Sequence, residues 1–526
     1  MQIEIRSAQG STILEYNHPV RLSTVFADHG IPVEMPCGGK QRCLKCRVKA
    51  TGYLSPLSPK EEELLTKEEK RAGIRYACMA EAVGDVCVEL KTERRDDRIL
   101  LQGDMPEFTR KPWGTGLGVA VDIGTTTVAA YLYSLHDCLL LDTDTQRNPQ
   151  SVFGADVISR IEKSMAGESG GLAAAIRSCV VQLMTAMCRR QERRMDEIDC
   201  VVLTGNTAML YLLCGQNPSS IASSPFEQDC YFGEFLPPCA LQLPISSQGR
   251  VYLPRCISAY VGGDITTALM AGGFNDHGKP ADLPTMLLVD IGTNGEMALL
   301  HDGRILCCST AAGPAFEGAG IYRGVNAVNG AISKVKYENG AFRCQVIGGG
   351  EATGICGSGI VDAVASMLDA GIIDETGLLL EEGHPFEENM TEADGTVAFR
   401  IPGTQIEITQ KDIRAVQLAK SAICAGMLTL MAEAEIQPES VLALRIAGGF
   451  GTFIDVHSAE RIGLIPQGFA VKAKAIGNAA GSGASMLLQS YELLRDSEEL
   501  AKDAQTVELS SSARFMDAYV GCMMFE

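Results

Sequence analysis

The stretch VDIGTTT at residues 121–127 returns as VDIGTNG at residues 289–295. Each copy ends an apolar, strand-like run and is followed by two more such runs. The second set turns again at Asp302-Gly303, a dipeptide typical of tight hairpins. Helical periodicity follows both sets of strands. A duplicated three-strand meander followed by helices predicts two α/β lobes.

The repeated turn has the chemistry of a phosphate-binding hairpin. Its glycine allows a close approach to the anion, and hydroxyls and backbone N–H groups then donate to the phosphate oxygens. The aspartates Asp122 and Asp290 would face a metal ion or its waters. One such turn is weak evidence, but two at matched positions favour a nucleotide clamp over ordinary strand-ending glycines. The hairpin residues predicted to bind the nucleotide are Gly124, Thr125, Thr126, Thr127, Gly292, Thr293, Asn294 and Gly295.

Other positions are expected to line the same site. Asp264 stands at the start of a helical run and has two interpretations, one orienting the attacking water and one capping the helix. Asp122, Asp264 and Asp290 are the candidate catalytic residues. Gln417 and Lys420 lie on a helix that either reaches the adenosine or shows a solvated face. The remaining predicted nucleotide-site residues are Gly205, Asn206, Glu317, Gly448, Gly449 and Phe450.

Four cysteines near the N-terminus are spaced like the ligands of an iron–sulfur cluster. Cys37, Cys43 and Cys46 come from one loop and Cys78 from a distant segment, a rhythm typical of a [2Fe–2S] site. The first gap holds five residues, where the usual ferredoxin spacing has four. Two alternatives stay open: a structural zinc site, and Cys87 as the fourth ligand.

Bulk properties restrict the class of protein. A chain of 526 residues exceeds the size of one core, so several domains are expected. The net charge of −20 argues against nucleic acid or an anionic membrane as the main partner. The N-terminal residues alternate like a strand and lack the features of a secretory signal, and no run of about 18 apolar residues is found. Nineteen cysteines in such a chain indicate reduced thiols and a metal site, and we expect a cytoplasmic protein.

The sequence therefore predicts an α/β multidomain protein. Residues 1–92 form a ferredoxin-like domain, and residues 93–116, charged and punctuated by proline and glycine, form a linker. Residues 117–284 and 285–526 form the first and second lobes.

Residues 117–490 resemble the superfamily of acetate kinases, sugar kinases, heat-shock chaperones and actin. The order of cysteine domain, linker and ATPase resembles the reductive activators of corrinoid-dependent methyltransferase systems. Besides the cysteine loop, the stretches that carry this resemblance are residues 204–207, 260–264, 309–318, 355–359 and 446–451.

This resemblance implies a β-grasp ferredoxin-like domain followed by a two-lobed, actin-like (ribonuclease H-like) ATPase. It further implies a [2Fe–2S] cluster, ATP and Mg²⁺ as cofactors, and the one-electron reduction of cob(II)alamin to cob(I)alamin coupled to ATP hydrolysis. The expected partners are a corrinoid protein and an external low-potential electron donor, without nucleic acid or membrane. The oligomeric state is open, with a homodimer as one arrangement to test.

Three other functions compete with this interpretation. A small-molecule kinase with a redox module would use Asp264 as its base. An activator of a radical dehydratase would also join ATP to an iron–sulfur cluster. A redox-sensing scaffold would need no catalysis. No corrinoid-binding motif of the form D-x-H-x-x-G is apparent, so the corrinoid is expected to arrive on a partner.

Overall fold

The structure is a computed structural model that describes residues 1–526 apart from residues 8–9, 30, 32, 34–40, 42–45, 91–102, 155, 224–225, 276–282, 450–452 and 526. It comprises a small N-terminal domain and two larger α/β lobes. Three of the predicted site residues, Cys37, Cys43 and Phe450, lie outside the described residues.

The N-terminal domain is a mixed sheet that packs against a helix. Its elements are β1 (Gln2–Ser7), β2 (Gly10–Glu15), β3 (Val20–Arg21), α1 (Leu22–Asp28), β4 (Arg47–Leu54), α2 (Pro59–Leu64), α3 (Lys67–Arg71), β5 (Ile74–Tyr76) and β6 (Glu81–Glu89). The strand order is β2-β1-β6-β4-β5, with β1 and β6 parallel at the centre. Ile3 and Ile5 alternate with polar residues and share a core with Val25 and Phe26 of α1. This is the predicted β-grasp arrangement.

The first lobe is a six-stranded sheet flanked by helices. Its elements are β7 (Leu117–Ile123), β8 (Thr127–Ser134), β9 (Leu139–Arg147), α4 (Val157–Lys163), α5 (Ser169–Arg190), β10 (Ile198–Gly205), α6 (Thr207–Cys214), β11 (Phe235–Leu236), β12 (Arg250–Tyr252) and α7 (Gly263–Ala271). The strand order is β11-β12-β10-β7-β8-β9, in which β7, β8 and β9 form an antiparallel meander and β10 runs parallel to β7.

The second lobe repeats this topology. Its elements are β13 (Met286–Ile291), β14 (Gly295–His301), β15 (Arg304–Thr310), β16 (Ala331–Glu338), β17 (Ala341–Val346), β18 (Gly354–Ile355), α8 (Gly357–Asp369), β19 (Met390–Ala393), β20 (Thr396–Arg400), β21 (Glu407–Thr409), α9 (Gln410–Glu433), β22 (Ala443–Ala447), α10 (Val456–Arg461), β23 (Ala473–Gly477), α11 (Ala479–Gln489), α12 (Tyr491–Asp503), β24 (Gln505–Thr506) and α13 (Ala513–Gly521). Its main sheet runs β23-β22-β13-β14-β15-β24, with β22 parallel to β13. The two sheets share the order of meander and parallel strands, which confirms the predicted duplication. The predicted two-lobed actin-like fold is thus the observed one.

The two lobes are joined through a common apolar core. Ala120 of β7, Leu288 of β13 and Ala484 of α11 belong to this core, together with the buried face of α7. At the crossing of α7 and α11, a Cβ atom on Gly483 would lie 1.8 Å from the carbonyl oxygen of Thr267. Only glycine allows the two helices to approach this closely.

The segment predicted as a linker is bound to the lobes over its second half. Residues 103–116, which we call the strap, run along β23 and α11. The backbone N–H of Asp104 donates to the carbonyl of Ile476 at 3.1 Å, and the indole Nε1–H of Trp113 donates to the carbonyl of Leu487 at 3.0 Å. Composition alone indicated a linker, because a segment that docks on other elements can be as polar and proline-rich as one that does not.

Two helical stretches, Val157–Arg190 and Gln410–Glu433, are long and apolar enough to cross a membrane by length and composition alone. In α9, 78% of the most apolar window is buried within the protein. In the stretch that contains α5, 50% of the corresponding window is buried. Their apolar residues therefore contribute to the cores of the two lobes, as in core helices that pass the same test.

Candidate nucleotide site and cysteine pair

The two Asp-x-Gly-Thr turns connect β7 to β8 and β13 to β14, at corresponding ends of the two sheets. Each is closed by a short backbone hydrogen bond: Gly124 N–H donates to the carbonyl of Thr127, and Gly292 N–H to that of Asn294, both at 3.0 Å. A Cβ on Gly124 would lie 2.7 Å from the Thr127 carbonyl oxygen, so the first turn requires glycine. The predicted hairpins are therefore formed.

One carboxylate connects the two hairpins. Thr126 Oγ1 of the first lobe donates to Glu317 Oε2 at 3.0 Å, and Thr293 Oγ1 of the second lobe donates to Glu317 Oε1 at 2.8 Å. The hydroxyls of both turns thus point at the same space from opposite lobes. This is the arrangement expected of a clamp on a phosphate group.

Four acidic side chains lie close enough to affect one another. Burial and the nearby carboxyl of Asp290 raise the pKa of Asp264 to about 8. Burial and Asp122 raise the pKa of Asp290 to about 7, and burial raises the pKa of Asp122 to about 6. The pKa of Glu296 lies well above its usual range because its side chain is buried and the carboxyls of Asp264 and Asp290 lie nearby. Since like charges in a desolvated site disfavour ionisation, this group of carboxyls is suited to a cation.

Asp264 is not the N-cap residue of its helix. The capping position of α7 belongs to Gly262, and Asp264 lies in the first turn, where its Oδ1 accepts from the N–H of Ile265 at 2.9 Å. Its carboxyl lies beside those of Asp122 and Asp290. Of the two interpretations of the sequence, the N-cap is wrong, and the proximity to both hairpin aspartates favours a role in the nucleotide site.

The first hairpin is supported from behind by two residues that the sequence did not single out. Asn148 Nδ2 donates to the carbonyl of Gly124 at 2.9 Å, and Arg160 Nη2 donates to the carbonyl of Thr125 at 2.6 Å. Arg160 is fully buried, and burial lowers its pKa to about 10. No local motif marks either residue in the sequence, because each reaches the hairpin only through tertiary packing.

Two asparagines cap helices beside the first hairpin. Asn206 caps α6 and its Nδ2 donates to Thr125 Oγ1 at 3.3 Å. Asn478 caps α11 and its Nδ2 donates to Asp122 Oδ2 at 2.9 Å. Asn206 was predicted for this site, whereas Asn478 was not, because 356 residues separate it from its partner.

The glycine-rich turn after β22 lies against the second hairpin. Gly448 has φ +95°, and a Cβ there would lie 2.7 Å from the carbonyl oxygen of Ile291 and 2.8 Å from Asp290 Oδ1. Gly448 therefore lies against the second hairpin, and its contact with a nucleotide stays a prediction. Gly449 follows Gly448 in this turn. Gly205 ends β10, and a Cβ there would lie 2.8 Å from the carbonyl oxygen of Ile123.

The residues present fit a magnesium–nucleotide. Among the described residues, no group of three or more acidic, histidine or cysteine side chains converges into a complete metal site. Magnesium in nucleotide sites is usually held by one or two carboxylates together with phosphate oxygens, so a complete protein cage is not expected. Asp122 and Asp290, one from each hairpin, are the carboxylates best placed for that role.

In the N-terminal domain, Cys46 and Cys78 face each other. Their Sγ atoms lie 3.2 Å apart, and both side chains are buried. The hydrogen bond with Cys78 lowers the pKa of Cys46 to about 7, which favours the thiolate form that binds metals. Cys87 lies on β6 opposite Glu4, away from this pair. The ligand assignment stays a prediction, since the other two cysteines lie outside the described residues.

A buried ion pair anchors the segment that leads to Cys78. Arg75 Nε donates to Glu61 Oε1 at 2.9 Å, and the N–H of Tyr76 donates to the same oxygen at 3.2 Å. Glu61 also completes the capping box of α2 with Ser58. The approach of Cys78 to Cys46 is therefore fixed by hydrogen bonds within the domain.

The chain matches two models of one family. Residues 117–277 match the RACo middle region, and residues 284–526 match the C-terminal domain of RACo, the ASKHA domain. The corrinoid activation enzyme RamQ of Eubacterium limosum is 36% identical over 422 residues, which cover 78% of this chain and 70% of that protein. The Co(II) methylated amine-specific corrinoid protein reductase of Methanosarcina barkeri is 31% identical over 298 residues, covering 52% of this chain and 51% of that protein.

A solved structure extends this likeness to the whole chain. The reductive activator for corrinoid, iron-sulfur protein aligns with 100% of this chain and 98% of its own, with a TM-score of 0.71 and 26% identity. The two family models, the RamQ match and this structure agree with the fold described above. This protein therefore belongs to the RACo family of reductive activators of corrinoid proteins.

Proposed function

We propose that the protein reduces cob(II)alamin, carried by a partner corrinoid protein, to cob(I)alamin in a one-electron step that is coupled to ATP hydrolysis. The electron would pass through a [2Fe–2S] cluster in the N-terminal domain. The observation that carries this proposal is that one chain holds both the Cys46–Cys78 pair and two facing phosphate hairpins.

In the ATPase lobes, the chain's own residues would position the triphosphate. The N–H groups and hydroxyls of the two turns donate to phosphate oxygens, and Asp122 and Asp290 would hold Mg²⁺. The bound cation would neutralise charge on the phosphates and on these carboxylates. A cation beside Asp264 favours its ionised form, so its carboxylate could accept a proton from the attacking water.

In the N-terminal domain, Cys46 and Cys78 would contribute two of the four thiolates, with Cys37 and Cys43 as the other two. A plant-type [2Fe–2S] centre has a potential of about −400 mV. The Co(II)/Co(I) couple lies lower, so the transfer is uphill and needs a second source of free energy. A clamp with a closed and an open state, which bind the corrinoid partner with different affinities, could supply that free energy.

The test is an anaerobic reduction assay. The reduced protein is mixed with a cob(II)alamin-carrying partner, and the absorbance of cob(I)alamin is followed with Mg–ATP, with a non-hydrolysable ATP analogue, and without nucleotide. We expect cob(I)alamin to form, at most one per reduced cluster, only with Mg–ATP. Equal reduction without nucleotide would rule out the coupling.

A matched pair of variants tests corrinoid reduction and ATP hydrolysis separately. Cys78→Ser should abolish corrinoid reduction and the cluster absorbance while the purified protein still hydrolyses Mg–ATP. Cys87→Ser, in the same domain but away from the pair, should leave both activities intact. Loss of reduction in Cys87→Ser alone would show that the ligand set is wrong.

A further inference from the structure

The carboxylate of Glu317, an anion that belongs to the protein itself, occupies the space between the two hairpins. Its two oxygens accept from Thr126 Oγ1 and Thr293 Oγ1, the hydroxyls that the proposed function assigns to phosphate. A carboxylate is a smaller anion than a phosphate, but both are bound by the same hydroxyl donors. A terminal phosphate would therefore compete with Glu317 for these donors.

The surroundings make this competition electrostatic as well as spatial. Glu317 lies near enough to Asp290 for its charge to contribute to the raised pKa of that residue. A Cβ on Gly292 would lie 3.6 Å from Glu317 Oε1, so the carboxylate rests against the second turn itself. An incoming phosphate would meet a like charge at close range until Glu317 withdrew.

Backbone hydrogen bonds hold the turn that carries Glu317, so rotation of the side chain alone is sufficient to release the two hydroxyls. Glu317 ends the short 3₁₀ turn Pro314–Glu317. The N–H of Gly313, before this turn, donates to the Thr293 carbonyl at 2.9 Å, and the N–H of Gly318, after it, donates to the Ala315 carbonyl at 3.0 Å. Rotation of the side chain breaks two hydroxyl contacts, one of which is a bond between the lobes.

We propose that Glu317 is an interlobe latch that holds the two phosphate hairpins together in the nucleotide-free protein and is displaced by the terminal phosphate of a bound nucleotide. This inference rests on the proposed nucleotide site and goes beyond it. The sequence analysis predicted that Glu317 binds the nucleotide. The two roles have opposite effects on nucleotide affinity. A ligand strengthens nucleotide binding, whereas a latch weakens it.

The experiment compares nucleotide affinities. Dissociation constants for Mg–ADP and a non-hydrolysable Mg–ATP analogue are measured by titration calorimetry for the wild-type protein and for Glu317→Gln. Glutamine keeps the size of the side chain and one acceptor but removes the charge. We expect the variant to bind the ATP analogue at least about fivefold more tightly, in the range of ordinary coupling effects, with a smaller change for ADP.

Controls keep the result interpretable. Glu351→Gln makes the same change at an exposed site of the second lobe and should leave both affinities unchanged. Thr126→Val removes the latch contact across the lobes without removing a charge, and hydrogen exchange in the nucleotide-free protein should increase at both hairpins in this variant and in Glu317→Gln. Unchanged or weaker binding of the ATP analogue by Glu317→Gln would overturn the latch. Absence of nucleotide binding by the wild-type protein would overturn the proposed function instead.

Discussion

Arg160 supports the first hairpin from outside the motif itself. Its guanidinium is fully buried and donates to the carbonyls of Thr125 and Gly154. That charge is held by neutral hydrogen-bond acceptors, and the carboxylate of Asp156 is near enough to favour the ionised form of Arg160. Its position directly behind a phosphate-binding turn gives that charge a use, because it adds positive potential where the chain's own carboxylates dominate.

We predict that Arg160→Met lowers the affinity for Mg–nucleotide about tenfold and lowers the denaturation midpoint. The substitution leaves two buried carbonyls without a donor, each costing about 1–3 kcal/mol. Arg160→Lys should recover part of the affinity, because it keeps the charge but loses the planar fork. Nucleotide titration and urea unfolding measure both effects. Arg189→Met, at an exposed position of α5, is the control and should change neither.

At this scale the sequence could predict residues whose role is carried by a local motif. Asp122 and Asp290 were predictable because the turn, the glycine and the hydroxyls are all contiguous with them. Arg160 and Asn478 were not, since each reaches the hairpin only after helices have packed. Lys420 was predicted either near the adenosine or on a solvated face; the solvated face is wrong, and contact with the adenosine stays a prediction. It is buried and donates to the carbonyl of Met524 near the C-terminus.

Among the elements, the crossing of α7 and α11 is the most sensitive to sequence. Both helices begin at the nucleotide site, α7 with Asp264 in its first turn and α11 with Asn478 as its cap. Their closest approach is at Gly483. A change in helix separation at this crossing would therefore alter the positions of both side chains.

We predict that Gly483→Ala destabilises the protein by about 1–3 kcal/mol, the usual cost of overpacking a core, and reduces ATP hydrolysis. The added methyl group would meet the backbone of Thr267, which cannot move aside as a side chain could. Gly170→Ala is a matched control, because it is also a helical glycine but a Cβ there meets nothing within 4 Å. Urea midpoints should fall for Gly483→Ala and stay equal or rise for Gly170→Ala. A neutral Gly483→Ala would contradict the close packing.

The strap shows why element boundaries are harder to predict than elements. Strands and long helices have periodic sequence patterns, and these patterns made the duplicated meander predictable. Residues 103–116 have no periodicity, so nothing in the sequence distinguishes a docked segment from a linker. The docking depends on backbone groups such as the N–H of Asp104, which every residue type carries.

For the molecule as a whole, the acidic interlobe site makes stability and ligand binding depend on pH. Asp122, Asp290 and Asp264 have pKa values of about 6, 7 and 8, against an ordinary value of 3.8. Between about pH 4 and pH 8 these three carboxyls therefore bind more protons in the folded protein than in the unfolded chain. By linkage, their contribution to the stability of the nucleotide-free protein is largest at the acidic end of this window and falls as pH rises through it.

We predict that Mg–ADP stabilises the protein more at pH 8 than at pH 6. Bound magnesium requires ionised carboxylates, which the nucleotide-free protein disfavours and which higher pH supplies. Melting temperatures with and without Mg–ADP across this range measure the difference. Asp264→Asn removes the group with the highest of the three pKa values and should reduce the difference in stabilisation between pH 6 and pH 8. A stabilisation that is independent of pH would contradict the assignment of these carboxyls to the cation.

Trp113 is the only tryptophan of the chain, and it lies in the strap. Its ring packs against Phe235 at a centroid distance of 5.0 Å, with the guanidinium of Arg250 5.1 Å from the ring centre. Its N–H is bound to α11, the helix whose cap touches Asp122. The tryptophan fluorescence of the protein therefore originates in the strap, where the strap docks on both lobes. A change in tryptophan emission on adding nucleotide would record movement of the strap against the lobes without any attached label.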